Sequence, residues 1–124
     1  MLRQDNSLTI IQEGSDLMAE SKPVVRLFFA KMKEAFIKLS EEEKAAFMRK
    51  DRENIDKLGM KAVSMIDCSW SSDEWDYIGV EQWPGIEAVK ERERFEKEEL
   101  ELFKYVEAKT YMGTPESFDE YGKD

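Results

Sequence analysis

Apolar side chains gather in four short runs, and the two longer stretches between them set apolar residues among alternating charges at helical spacing. The run Val24 to Lys31 (VVRLFFAK) follows Pro23 and is dense in β-branched and aromatic residues, which predicts a strand. A connection through Phe36 and Leu39 leaves room for one helical turn. Ser40-Glu41-Glu42-Glu43 then has the composition of a capping box: the Ser40 hydroxyl can accept from the Glu43 amide, and the Glu43 carboxylate from the Ser40 amide. The helix it opens is expected to run to about Leu58 and stop at Gly59, which tolerates a left-handed turn. Met60 to Trp70 predicts a second strand and Trp75 to Trp83 a third. The short polar link Ser71 to Glu74 pairs them as an antiparallel hairpin. Pro84-Gly85 closes the third strand, a second helix runs from Ile86 to about Phe103, and Tyr105 to Met112 is a fourth strand ended by Gly113-Thr114-Pro115.

The order β-α-β-β-α-β is the split βαβ arrangement, an α+β architecture with a four-stranded antiparallel sheet and two helices on one face. The opposite face is left bare, and a large apolar patch on a single chain calls for a partner. From about Pro23 to Thr114 the chain resembles the dimeric α+β barrel superfamily, with its ferredoxin-like fold. That resemblance implies a homodimer in which two sheets pack face to face around a cavity. Members of the superfamily include cofactor-free oxygenases, isomerases, haem-degrading enzymes and proteins without known activity, so function is not fixed by it. Residues 18–115 are assigned to this domain. Residues 1–17 are either a loose arm or an upstream extension: they are polar, Gly14 breaks any helix, and Met18 offers a second start. Residues 116–124 form an acidic tail whose Phe118 and Tyr121 are expected to pack on the domain.

A chain of 124 residues with 41% hydrophobic side chains supports one core and no second domain. The net charge of −9 repels phosphate backbones and argues against a nucleic-acid partner. Cys68 stands alone, so no intramolecular disulfide forms, and it reads as a small core residue. With no basic-then-apolar leader and no apolar stretch near membrane length, the expected location is the cytoplasm, away from membranes. The sequence contains no histidine. That excludes His-based nucleophile pairs, His-ligated haem and the usual zinc sites in this chain, and no Gly-rich phosphate loop is present. No metal or cofactor is expected.

Strand alternation defines the remaining chemistry. Small aliphatic residues suit packing under helices, which assigns Val25, Leu27, Phe29, Ile78, Val80, Val106 and Ala108 to the helix side. The bare face then carries Arg26, Phe28 and Ala30, Tyr77, Glu81 and Trp83, and Glu107, Lys109 and Tyr111, with Lys61, Val63, Met65 and Asp67 from the second strand. One reading is a cavity for a small organic ligand. Phe28 and Trp83 would wall it, Arg26 or Lys109 would hold an anionic group, Glu81 or Asp67 would act as base, and Tyr77 and Tyr111 would donate hydrogen bonds. Turnover there would be a metal-free oxygenase- or isomerase-type step, since a carboxylate desolvated among aromatic rings becomes a better base. The other reading is an interface whose charges pair across strands to fix dimer geometry. A non-catalytic accessory protein that meets a partner through acidic helices is the alternative from a different class. On the first helix Asp51 falls in line with Phe47, Ile55 and Leu58. It pairs with Arg52, or one of the two lines a cavity mouth. Arg92 shares a stripe with Ala88, Val89, Phe95 and Glu96, the pattern of a structural ion pair.

Overall fold

The computed structural model describes residues 22–124, so the arm assigned to residues 1–17 lies outside the described residues. Strand β1 spans Val24–Met32, and one turn of helix, α1, spans Glu34–Ile37. Helix α2 spans Glu41–Leu58. Strands β2, Lys61–Asp67, and β3, Tyr77–Trp83, follow. Helix α3 covers Ile86–Glu98, α4 covers Leu102–Tyr105, and β4 covers Val106–Gly113. All pairings are antiparallel and the strand order is β2-β3-β1-β4, as the split βαβ arrangement requires.

Local chemistry sets the boundaries of α2. The Ser40 hydroxyl accepts from the Glu43 amide at 3.1 Å and the Ser40 amide donates to the Glu43 carboxylate at 2.8 Å, satisfying two of the amides that a helix start leaves open. Gly59 ends the helix at φ 82°, a conformation in which a Cβ would crowd the following carbonyl. The second helix is shorter than its charge pattern suggested. It ends at Glu98, Leu100 turns into the core, and Glu101 sits at φ 53° ahead of α4. The polar link between β2 and β3 is longer than expected, occupying residues 68–76. Within it the half-buried Cys68 donates its thiol to the Trp75 carbonyl at 3.3 Å; it is a loop residue and does not belong to the core. Phe118 and Tyr121 stack on each other at 5.0 Å and stay exposed, so the tail does not dock as expected.

Register corrects the face assignment. Arg26 lies opposite Glu81, Phe28 opposite Gly79 and Val24 opposite Trp83, and these pairs lie beneath the helices, where Arg26 and Trp83 are almost fully buried. Val25, Leu27 and Phe29, with Gln82, Val80 and Ile78 across from them, line the uncovered face. The expectation is therefore inverted for β1 and β3. It holds for β4, where Val106 and Ala108 pack under the helices and Lys109 and Tyr111 face away with Phe29 and Leu27. On β2 the pairing shifts between Ala62 and Ser64. The bulge adds one residue and moves the alternation, so Met65 and Asp67 turn to the helix side while Lys61 stays on the bare face.

Two apolar clusters form the core. One joins Ala30, Phe95, Leu100, Leu102 and Val106, and the other joins Val24, Trp83 and Val89. Arg26 on β1, Glu81 on β3 and Arg92 on α3 fall between them in sequence, so a layer of charge divides the core.

A cavity beneath the first long helix, bordered by buried charge

Between α2 and the sheet lies a cavity of about 510 Å³. Its floor is Phe28, Ala30 and Gly79, its helix wall is Phe47, Met48 and Asp51, and Met65 and Tyr77 stand at the β2–β3 side. Gly79 explains the space. It is buried in mid-strand on the helix side, and a Cβ built there would come into ordinary van der Waals contact with the Met65 side chain, at 3.6 Å, and the Phe28 carbonyl, at 3.9 Å. A glycine inside a strand leaves a gap that any larger residue would occupy. Met48 and Met65 are both more than half exposed, so the cavity opens to solvent between α2 and the edge strand. Unbranched, polarisable methionines suit such a mouth because they adapt to different shapes.

Behind Phe28 runs the charge layer. The Arg26 guanidinium, wholly buried, donates through Nε to Glu81 Oε1 at 2.7 Å and through a terminal nitrogen to Glu96 Oε2 at 2.8 Å. The Trp83 indole donates to Glu81 Oε1 at 2.9 Å. Glu96 also receives Arg92 Nε at 2.9 Å, and Arg92 donates onward to Asn54 Oδ1 at 2.9 Å and to Asp51. The line of contacts thus passes from the sheet through α3 to α2 and ends at the cavity wall. The Arg26 guanidinium also lies over the rings of Phe28 and Trp83, at 5.2 and 5.5 Å, in the range of cation–π attraction. Burial by itself lowers the pKa of Arg26. The hydrogen bond and charge of Glu96, then those of Glu81, outweigh that and hold it above the ordinary arginine value.

The residues singled out from sequence are split. Phe28 and Tyr77 line the cavity, while Arg26, Glu81 and Trp83 belong to the adjoining charge layer. Lys109 and Tyr111 lie on the opposite face, the Lys109 ammonium 5.2 Å from the Tyr111 ring centre. Asp67 is exposed at the end of β2, where the Ser69 hydroxyl, and secondarily its amide, hold its carboxylate below the usual aspartate range. Arg52 bonds to Asp56, not Asp51. Gly79 and Met48 were missed, and Met65 was assigned to the bare face rather than to the helix side. A glycine within an aromatic strand was the available signal for the cavity.

The layout defines a class: an α+β domain of ferredoxin-like topology with one bare sheet face and, on the other, a cavity open to solvent at its mouth. Solved structures share the fold. The chain superposes with a TM-score of 0.62 and 11% identity on chlorite dismutase from Candidatus Nitrospira defluvii, as an arginine-to-alanine variant and as an imidazole complex, over 85% of its own length and 44% of theirs. It therefore spans less than half of those chains. A protein of unknown function from Rhodopseudomonas palustris matches with a TM-score of 0.54 and 15% identity, over 88% of this chain and 95% of that one. These likenesses are of fold alone: a four-stranded antiparallel sheet with helices, in keeping with the ferredoxin-like arrangement. No protein-family model matches the sequence, and no curated protein matches it. No helix among the described residues is long and apolar enough to cross a membrane.

Proposed function

We propose that this chain binds a small, largely apolar organic molecule in the cavity beneath α2, as a homodimer joined through the bare sheet faces. The observation that carries the proposal is the cavity of about 510 Å³ with Gly79 at its floor. Its size falls within the range of small-molecule sites, and it has their usual mix of apolar walls and few polar groups. The charge layer behind it is a scaffold. Glu81 is engaged by Arg26 and by the Trp83 indole, so it ties β3 to β1, while Arg26 carries the link on to Glu96 of α3, and it does not point a free carboxylate at a ligand. Tyr77 is the wall hydroxyl able to orient a bound molecule.

A neutral apolar dye whose fluorescence rises on burial tests this. Wild-type protein should bind it saturably, one per chain. Gly79→Leu, which fills the floor, should keep a cooperative melting transition and weaken binding at least tenfold, whereas equal binding by a folded Gly79→Leu protein refutes the assignment.

A further inference from the structure

We infer that the ligand is an amphiphilic cation, an amine on an apolar body, and that Asp51 is the group that selects it. The inference rests on the cavity reading above and adds the chemistry of the molecule that fits there. Among the described residues Asp51 is the sole charged side chain lining the cavity. One of its carboxylate oxygens accepts from Arg92, and the other has no hydrogen-bond partner among the described residues. The side chain is 27% exposed, so a ligand entering past Met48 reaches it.

The charge layer makes that end of the cavity negative. Arg26 and Arg92 supply two guanidinium charges, and Glu81, Glu96 and Asp51 supply three carboxylates. Glu93, half-exposed, adds a fourth carboxylate 3.8 Å from Arg26. The guanidiniums are consumed inside the layer: Arg26 is committed to Glu81 and Glu96, and Arg92 to Glu96, Asn54 and Asp51. Lys44, the cation near Phe36, is 3.5 Å from Glu41 and lies over the Phe36 ring. An anionic ligand therefore meets no free counter-charge at the cavity wall. An ammonium meets an available carboxylate oxygen, with the rings of Phe28 and Phe47 lining the cavity around its apolar body. The surplus of carboxylate in the layer behind the wall points the same way as the overall charge of −9, which raises the local concentration of cations.

A matched series sharing one hydrocarbon body separates charge from hydrophobicity. Octylammonium, octanol and octanoate would be titrated by NMR into the full chain at neutral pH, below their aggregation concentrations. Octylammonium should bind roughly ten- to a hundredfold more tightly than octanol, the difference one charge-assisted hydrogen bond makes, and octanoate should bind weakest. Asp51→Asn keeps an acceptor for Arg92 and should bring the three ligands within about threefold of one another. Asp51→Glu should restore the preference, and both variants should melt cooperatively. Equal binding of octanol and octylammonium by wild type, or a preference that survives Asp51→Asn, overturns the inference and leaves the cavity reading standing. Binding of none of the three overturns both.

Discussion

Replacing Arg26 by methionine removes the cation that holds β1, β3 and α3 together while keeping an unbranched side chain of similar length. Three hydrogen bonds go, Nε to Glu81 at 2.7 Å and the two terminal nitrogens to Glu96 at 2.8 and 3.4 Å, together with the longer ion pair to Glu93 at 3.8 Å. Left behind are two carboxylates in the core, Glu81 at 8% and Glu96 at 2% exposure. Glu96 retains Arg92 and Glu81 retains the Trp83 indole, so neither is orphaned, yet Glu81 has lost its only ion-pair partner among the described residues. Breaking a buried pair from one side costs about 3–5 kcal/mol. For a domain of this size that is a large share of total stability and corresponds to a fall in melting temperature on the order of 10–20 °C. Urea unfolding followed by circular dichroism should show the midpoint fall with an unchanged slope. The decisive comparison is the double change Arg26→Met with Glu81→Leu. Removing the stranded carboxylate should return at least about 1 kcal/mol relative to Arg26→Met alone, because the two residues are directly coupled. A single-variant loss below about 1 kcal/mol, or a double variant no better than the single, would refute the buried charge layer.

Three further outcomes follow from local chemistry. Ser40→Ala deletes one half of the capping box and should lower stability by about 1 kcal/mol in the same urea assay; no change would mean that the start of α2 is held by packing alone. Asp67 should titrate below the ordinary aspartate value by carbon-detected NMR, and Ser69→Ala should raise its midpoint towards that value while the Ser69 amide keeps part of the effect. Because the folded-state value is the lower one, this contact favours folding above the unfolded aspartate pKa and ceases to do so as pH falls through the folded value; a midpoint insensitive to Ser69→Ala contradicts the assignment. Ile78→Lys places a charge in the middle of the bare sheet face opposite Phe29 and should shift the protein from dimer to monomer in light scattering. A dimer that persists would locate the interface elsewhere.

Element order, the capping box and the stop at Gly59 were legible because each is encoded by neighbours a few residues apart. The face of the sheet was not, and β1 shows why. In VVRLFFAK each alternating set is apolar apart from one cation, Arg26 in mid-strand and Lys31 at the end of the run, and a charge in mid-strand reads as pointing away from a core. What turns Arg26 inward is Glu96, seventy positions later on α3, together with Glu81 across the strand. The clue was on the helix: Arg92 and Glu96 share a stripe with Val89 and Phe95, and two charges on a buried stripe need charged partners on the surface they cover. Pairing that stripe with the lone strand arginine would have set the sheet the right way round. The bulge between Ala62 and Ser64 had no comparable signal, since the sequence there carries neither glycine nor proline. Asp51 was marked as out of place on α2, and its proposed partner Arg52 was the nearest in sequence, whereas the structure joins it to Arg92 on another helix.

The central claim is a dimer whose protomers each carry a small molecule beneath α2. Native mass spectrometry of the protein purified from its own host measures assembly and bound ligand in one spectrum. The account predicts a species of about twice the 14.6 kDa chain mass that sheds a small organic molecule on collisional activation, with that molecule lost from Gly79→Leu. A ligand-free monomer, or a small molecule retained equally by the folded Gly79→Leu protein, would contradict it.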